Sequence, residues 1–423
     1  DGKLKAVTWQ ATPGLFAYRR SIAKDVLGTD DPDAVQEALA DWDKFNAVAE
    51  QAAAKGYYML SGYDDAYRTF SNNVSAPWVA DDGETVVVDA NLMKWVDQTK
   101  LYTDKGYNHK SSLWDATWAA DQGPTGKVFG FFYSTWGINF TLLGNSLETS
   151  VANGGKEEVG NGAYGDYAVC QGPQAYYWGG TWICAAAGTD NVATIKDVMQ
   201  KLTCDAAIAK KITEDTQDYT NNVAAMNELA QNYSSAFLGG QNHIALFAEA
   251  APKIDMSNIS AYDQGLNESF QGAFKNYFDG NATIDEAKAQ FESIISEQYP
   301  DLVKCQWPDE ELLASETMLQ GRALRPFLLA LRRKLYSVPM VTSGSEIPTP
   351  AGCQRSSLGQ TNVGRIGDSG CREQKRKSAP SAMPNGAMCS SRRSSSCLRC
   401  SSSIRSSRRF ITASLSISSS RAV

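Results

Sequence analysis

Apolar positions alternate loosely over Leu4–Trp9, which predicts a strand, and Pro13-Gly14 breaks it. From Leu15 to Val26 the apolar spacing suits a helix. Asp41 stands as an N-cap before a helical pattern that reaches Lys55, with Gly56 as its stop. Tyr57–Leu60 then reads as a short buried strand and Val86–Val88 as another. Asn91–Asp104 is helical and closes at Lys105-Gly106. Lys127–Tyr133, Tyr167–Gln171 and Trp182–Ala187 read as strands. Thr194–Thr203, Asp205–Asp215, Asn221–Asn232, Phe270–Phe278 and Ile284–Tyr299 read as helices. Strands alternating with helices predict an α/β fold with mostly parallel pairing. No internal repeat is present.

The pattern fails after about Val303. Residues 353–423 hold 20 serines, many arginines and few large apolar side chains. Such a stretch buries too little surface to offset its chain entropy. Ala323–Val338 has the spacing of a short basic amphipathic helix, but a solvated, unstructured segment is the preferred reading. The charge reverses here too. Residues 1–320 carry 22 Lys and Arg against 44 Asp and Glu, whereas residues 321–423 carry 18 against 3. The acidic main part does not favour nucleic acid, which needs a basic footprint. Two readings of the tail compete: a natural Ser/Arg-rich arm for nucleic acid or anionic lipid, and an out-of-frame or misassembled gene end. We take the second.

The nine cysteines are scattered, and Cys397 and Cys400 form a lone CxxC with no histidine nearby, so no zinc site is expected. Cys170 and Cys184 are the pair to test for a disulfide. No run approaches the roughly 18 apolar residues that span a bilayer.

The ten tryptophans all precede residue 308, and two lie in the run Tyr176-Tyr177-Trp178-Gly179-Gly180-Thr181-Trp182. An indole beside glycines lets ring and backbone approach one ligand together, and its apolar face with a polar handle suits a sugar. Core packing is the bland alternative for any one ring. Asp64-Asp65 and Asp115 invite a glycosidase reading, which needs two carboxylates about 5–9.5 Å apart. Adjacent aspartates at a strand end point to opposite faces and make a poor pair. His243, in Gly239-Gly240-Gln241-Asn242-His243, has no nucleophile motif beside it and is read as structural. The glycine pairs match no phosphate-binding loop. Asp30-Asp31-Pro32-Asp33 lacks the spacing of a calcium loop and reads as a helix N-terminal turn.

Five segments in series resemble extracellular carbohydrate-binding proteins of ABC importers, family 1 type. They are Asp1–Tyr18, Gly56–Phe70, Gly126–Asn139, Gly165–Ala187 and Phe237–Glu268, and the resemblance covers about residues 1–303. It implies an α/β, periplasmic-binding-protein-like type II fold with two lobes around a cleft. The implied boundaries are a crossing strand or hinge at 1–14, the second lobe at 15–178, a remnant of the first lobe at 179–229, and completion of the second lobe and hinge at 230–303. Residues 304–423 are the tail. Family members carry a signal peptide, a lipid-anchoring cysteine and much of the first lobe before the crossing strand. The expectation is therefore a first lobe that is incomplete in this chain.

The resemblance also places ligand contacts. Trp9 and Gln10 fall on the opening strand, Tyr63 and Asp64 at the strand end after the first helix, and Trp136 at the stacking position. Gly180 and Trp182 fall on the crossing back, with Tyr262, Asp263 and, more weakly, Gln241 near the end. The implied function is capture of an extracellular sugar or oligosaccharide by a monomer that delivers it to membrane permease subunits. No catalysis, metal or cofactor is implied. The rivals are a hydrolase or lyase using Asp64 and Asp115, and an interaction protein acting through its basic tail.

Overall fold

The chain enters on a short strand, β1 (Ala6–Thr8), and the run after Pro13 is a second strand, β2 (Gly14–Arg19). All six residues of β2 are buried. A strand covered on both faces reads as a continuous apolar run, which is why its pattern looked helical. The helix begins only at Arg20. Residues 4–309 are described in this computed structural model. They belong to one compact unit.

Three helices follow β2: α1 (Arg20–Leu27), α2 (Pro32–Ala38) and α3 (Trp42–Ala54). Asp31 caps α2 by accepting from Asp33 and Ala34 N–H, and Asp41 caps α3 by accepting from Lys44 N–H. Both expected starts hold because a short carboxylate satisfies N–H groups that have no partner inside the helix. Strand β3 (Leu60–Gly62), helix α4 (Tyr67–Ser71), strand β4 (Thr85–Val87) and helix α5 (Ala90–Lys105) come next. Gly106 closes α5 in the left-handed region, at φ +69°. Then come β5 (Asn108–Ser111), α6 (Ala116–Asp121) and β6 (Gly130–Ser134). A helical run follows β6, composed of α7 (Thr135–Gly137), a π-helical stretch Ile138–Leu143 and α8 (Gly144–Ser146). The rest is β7 (Tyr167–Cys170), β8 (Trp182–Cys184), α9 (Val192–Cys204), α10 (Ala206–Thr216), α11 (Val223–Leu229), α12 (His243–Ala250), α13 (Asp263–Phe278), α14 (Ile284–Gln298) and β9 (Lys304–Gln306).

The pairing is mixed, which corrects the mostly parallel expectation. The central sheet runs β6-β2-β7 and is antiparallel, with Phe16 opposite both Phe132 and Cys170. Parallel pairs flank it: β3 with β5, and β4 with β9. Tyr58 and Met59 carbonyls accept from Phe129 and Gly130 N–H, so the β3 side joins the central sheet irregularly. Rings fill the core between sheet and helices. Phe16 meets Phe132 at 4.9 Å and Phe45 at 5.2 Å, and Trp42 stacks on Phe70 at 4.7 Å. Such pairs add about 0.5–1.5 kcal/mol each beyond area burial. Gly14 is required by packing: a Cβ there would fall 2.1 Å from the Tyr176 ring. The Tyr176 hydroxyl in turn bonds the Leu15 and Tyr133 carbonyls.

Two further expectations change. Order does not stop at residue 303, because β9 pairs with β4 and Trp307 packs at 5.9 Å from Phe291 and donates to Glu292 Oε1 at 2.7 Å. The remainder of the expected tail, from residue 310, lies outside the described residues, as does the Ala323–Val338 helix. Cys170 and Cys184 are both free, the first buried in the central sheet and the second exposed on β8. They sit on different sheets and are not bonded to each other.

Candidate ligand-binding site

A cluster of indoles gathers where α4, the loop before α6, α7 and the Tyr176–Trp182 run meet. Trp114 stacks on Trp136 with centroids 6.0 Å apart and planes 16° from parallel. Trp178 stands edge-on to Trp136 at 5.0 Å and also lies 6.0 Å from Trp114. Trp118 and Tyr133 back the group from the core. Trp178 is 8% exposed, Trp136 half-buried and Trp114 56% exposed, so the cluster opens to solvent at Trp114. Trp114 has φ +73°, in the left-handed region that bulky residues avoid. Trp136 Nε1 donates to the Trp178 carbonyl at 2.9 Å, which fixes its ring.

Charged groups line the same cluster. The Arg68 guanidinium lies 4.2 Å over the Trp178 ring. Burial lowers its pKa to about 10. Asp64 is half-buried and accepts from Leu113 N–H. Burial pushes its carboxyl above the usual range, against the pull of that N–H, Lys275 and Arg68. Its neighbour Asp65 is buried and accepts from Gly62 N–H and Trp118 Nε1. The adjacent aspartates thus bond different segments, Asp64 the loop before α6 and Asp65 the end of β3 and the Trp118 ring. Lys275 Nζ reaches Ser112 Oγ at 3.0 Å and ties α13 to the loop that carries Trp114.

Of the expected contacts, Trp136 and Asp64 fall in this cluster. Tyr63 is beside it but packed away: it is 4% exposed, stacked on Phe278, and its hydroxyl bonds Asp279. Trp9, Gln10, Gly180 and Trp182 form a second group where three chain segments cross. Gln10 is buried, with its amide bonded to Asp218 and Thr181, while Trp182 is 53% exposed opposite Thr8. Thr12 Oγ1 donates to the Gly179 carbonyl, and Asn221 N–H to the Trp9 carbonyl. Gly179 links the two groups, since a Cβ there would sit 3.1 Å from Trp136 Nε1. Asp263 accepts from Ser260 at the start of α13, and Tyr262 packs on Tyr299. Burial raises the Tyr177 hydroxyl to about 12, with the Asp263 charge adding and Arg68 opposing. Gln241 stands apart: its amide makes both bonds to the Val169 backbone of β7, at 2.7 and 2.8 Å.

Trp114, Trp178 and Arg68 were not among the expected contacts. The signal available was the pair Trp114 and Trp118 around Asp115, and the first Trp of the Tyr176–Trp182 run. Asp115 is the N-cap of α6, its two oxygens taken by Ser112 and Trp118 N–H. His243 is fully buried near the start of α12, with Nε2 on the Gln217 carbonyl, and burial lowers its pKa to about 4. Among the described residues no three His, Cys, Asp or Glu side chains converge as metal ligands, and no helix is long and apolar enough to cross a membrane. A separate depression of about 400 Å³ beside Ala34, Ala38, Ala47 and Val48 has no aromatic wall.

No family model and no curated protein matches the sequence. Solved structures do match the fold. A family 1 extracellular solute-binding protein aligns with TM-score 0.58 at 16% identity, over 70% of this chain and 73% of its own. The fold is that of an extracellular solute-binding protein. A binding protein associated with an ABC transporter of B. animalis subsp. lactis Bl-04, solved with beta-1,6-galactobiose, gives TM-score 0.56 at 15% identity, over 72% of this chain and 76% of that one. The galacto-N-biose-/lacto-N-biose I-binding protein of Bifidobacterium longum, solved with lacto-N-biose, gives 0.52 at 14% identity over 72% of each chain. The shared fold is mixed α/β, as the sequence led us to expect.

Proposed function

We propose that the protein binds an extracellular saccharide without turning it over, and that it serves an ABC-type importer by presenting that sugar to membrane permease subunits. The observation that carries this reading is the solvent-open stack of Trp114 on Trp136 beside Trp178, with Arg68 and Asp64 at its margin. Flat apolar rings suit the C–H face of a pyranose, and charged donors and acceptors suit its hydroxyls. The matched solute-binding fold adds the transport context. The crossing segments at Thr8–Thr12, Gly179–Trp182 and Asp218–Asn221 are the proposed hinge between two lobes, with closure coupled to ligand contact. Gln10 acts there as a clasp between segments, and Trp9, Gly180 and Trp182 are proposed as contacts from the opposing side. The extracellular location and a lipid anchor belong to the same proposal.

The hydrolase reading loses its second carboxylate. Asp115 is committed to capping α6, and the N–H groups of Ser112, Trp118 and Thr117 hold it below the usual range despite its partial burial. Titration calorimetry with neutral di- and trisaccharides, including beta-1,6-galactobiose and lacto-N-biose, tests the proposal. Stoichiometric binding with quenched tryptophan fluorescence and no product on chromatography is the expected result. Appearance of cleaved sugar, or silence across the neutral and acidic glycans alike, overturns it.

A further inference from the structure

Residues 1–309 contain three arginines, and two of them are fully engaged. Arg19 bonds Asp166 Oδ2 and the Gly123 carbonyl. Arg20 bonds the Tyr167, Asp30 and Leu238 carbonyls. Arg68 differs: it is half-buried, one face lies on Trp178, and among the described residues its guanidinium has no hydrogen-bond acceptor and no carboxylate within ion-pair distance. A guanidinium carries five N–H donors in a planar fork, and those of Arg68 are left for solvent or a ligand. The acids that feel its charge are Asp64 and Glu268, and neither reaches it. Asp64 is itself costly to keep ionised, since burial raises its pKa.

We infer that the site takes an acidic saccharide, one bearing a carboxylate, and that Arg68 is the residue that receives that carboxylate. The inference rests on the saccharide-binding reading above and specifies its ligand class. The Trp178 ring holds the guanidinium at 4.2 Å, and none of its N–H groups has an acceptor among the described residues. Two parallel N–H···O bonds to a carboxylate satisfy this fork better than a single hydroxyl, which offers one oxygen. Lys275, held between Ser112 and the Tyr63 ring, places a second cation on the loop of Trp114. Both cations lie in a chain whose first 320 residues are strongly acidic, so they mark this site against the general charge.

The test is calorimetry on the full chain with trimers of galacturonate, mannuronate and glucuronate. The same trimers with each carboxyl reduced to a hydroxymethyl group serve as neutral partners. At least one acidic trimer is expected to bind about tenfold or more tightly than its reduced partner, the scale of one charge-assisted bidentate contact. Arg68→Gln should bring that ratio close to one. Arg68→Lys, which keeps the charge and loses the fork, should leave an intermediate ratio. Near-UV circular dichroism checks that both variants fold. If the reduced trimers bind as well as the acids, if the preference survives in Arg68→Gln, or if only neutral disaccharides bind, the acidic-ligand inference fails and the saccharide reading stands. If no saccharide of either kind binds, both fail together.

Discussion

Trp114 shows most directly how one residue separates function from stability. Its left-handed backbone costs about 1–2 kcal/mol for a side chain with a Cβ. The residue is 56% exposed, and its ring contacts with Trp118, Trp136 and Trp178 offset that cost only about evenly. Trp114→Gly is therefore expected to keep or raise the melting temperature while weakening saccharide binding about tenfold or more; a drop in both would make the residue structural. Asp65 makes a second prediction at this scale. Burial raises its carboxyl to about 7, with the Asp64 charge adding and the Gly62 and Trp118 bonds opposing. The folded pKa lies above the unfolded one, so this group's contribution to stability is full below about pH 4 and is lost as pH rises through 7. The change is on the order of 4 kcal/mol. A carboxyl-carbon NMR titration should place its midpoint near neutrality; a midpoint near 4 would remove the claim. At this scale the sequence singled out Trp136 and Asp64, which the fold brings into the indole cluster, but not Trp114, Trp178 or Arg68. Aromatic spacing marks rings that pack together without saying which one faces water. Gln241 and Tyr63 illustrate the converse, polar residues in suggestive motifs that the fold uses internally.

Among the elements, those with capping residues or glycine stops were legible from the chain. Asp41, Asp205 and Gly106 each end or begin a helix by local chemistry. Strand β2 was not, because burial on both faces erases the two-residue period that distinguishes a strand. The mixed pairing was hidden for a related reason: partner choice depends on long-range contacts, not on local pattern. Helices α9 and α13 differ sharply in what holds them. None of the 13 residues of α9 is buried, whereas α13 buries Leu266, Ser269, Phe270, Ala273, Phe274 and Phe278. Local opening follows such differences. Hydrogen exchange should therefore release the α9 amides at least about tenfold faster than those of α13. Equal protection would show that α9 is covered in solution.

For the molecule as a whole, the change in composition near residue 303 does not mark the end of paired structure, because β9 follows it. Three residues of β9 and the Trp307 ring are enough to seat the chain on β4, α13 and α14. A chain ending at Val303 should melt several degrees below one ending at Asp309, since it loses a strand pairing and a partly buried indole worth about 2–3 kcal/mol. Equal melting of the two would show that β9 adds nothing. The fold itself was recognisable from five segments in order, because their spacing reflects a shared backbone path even where no single motif is specific.

The Gln241 amide on β7 has a consequence for how these molecules behave in a crowd. Among the described residues β7 ends the central sheet, and a bare outer strand invites a neighbour's backbone to continue the ladder. By meeting both the N–H and the carbonyl of Val169, one side chain stands in for that neighbour. At that residue the edge is closed to a neighbour's backbone, by a side chain whose motif first pointed toward sugar.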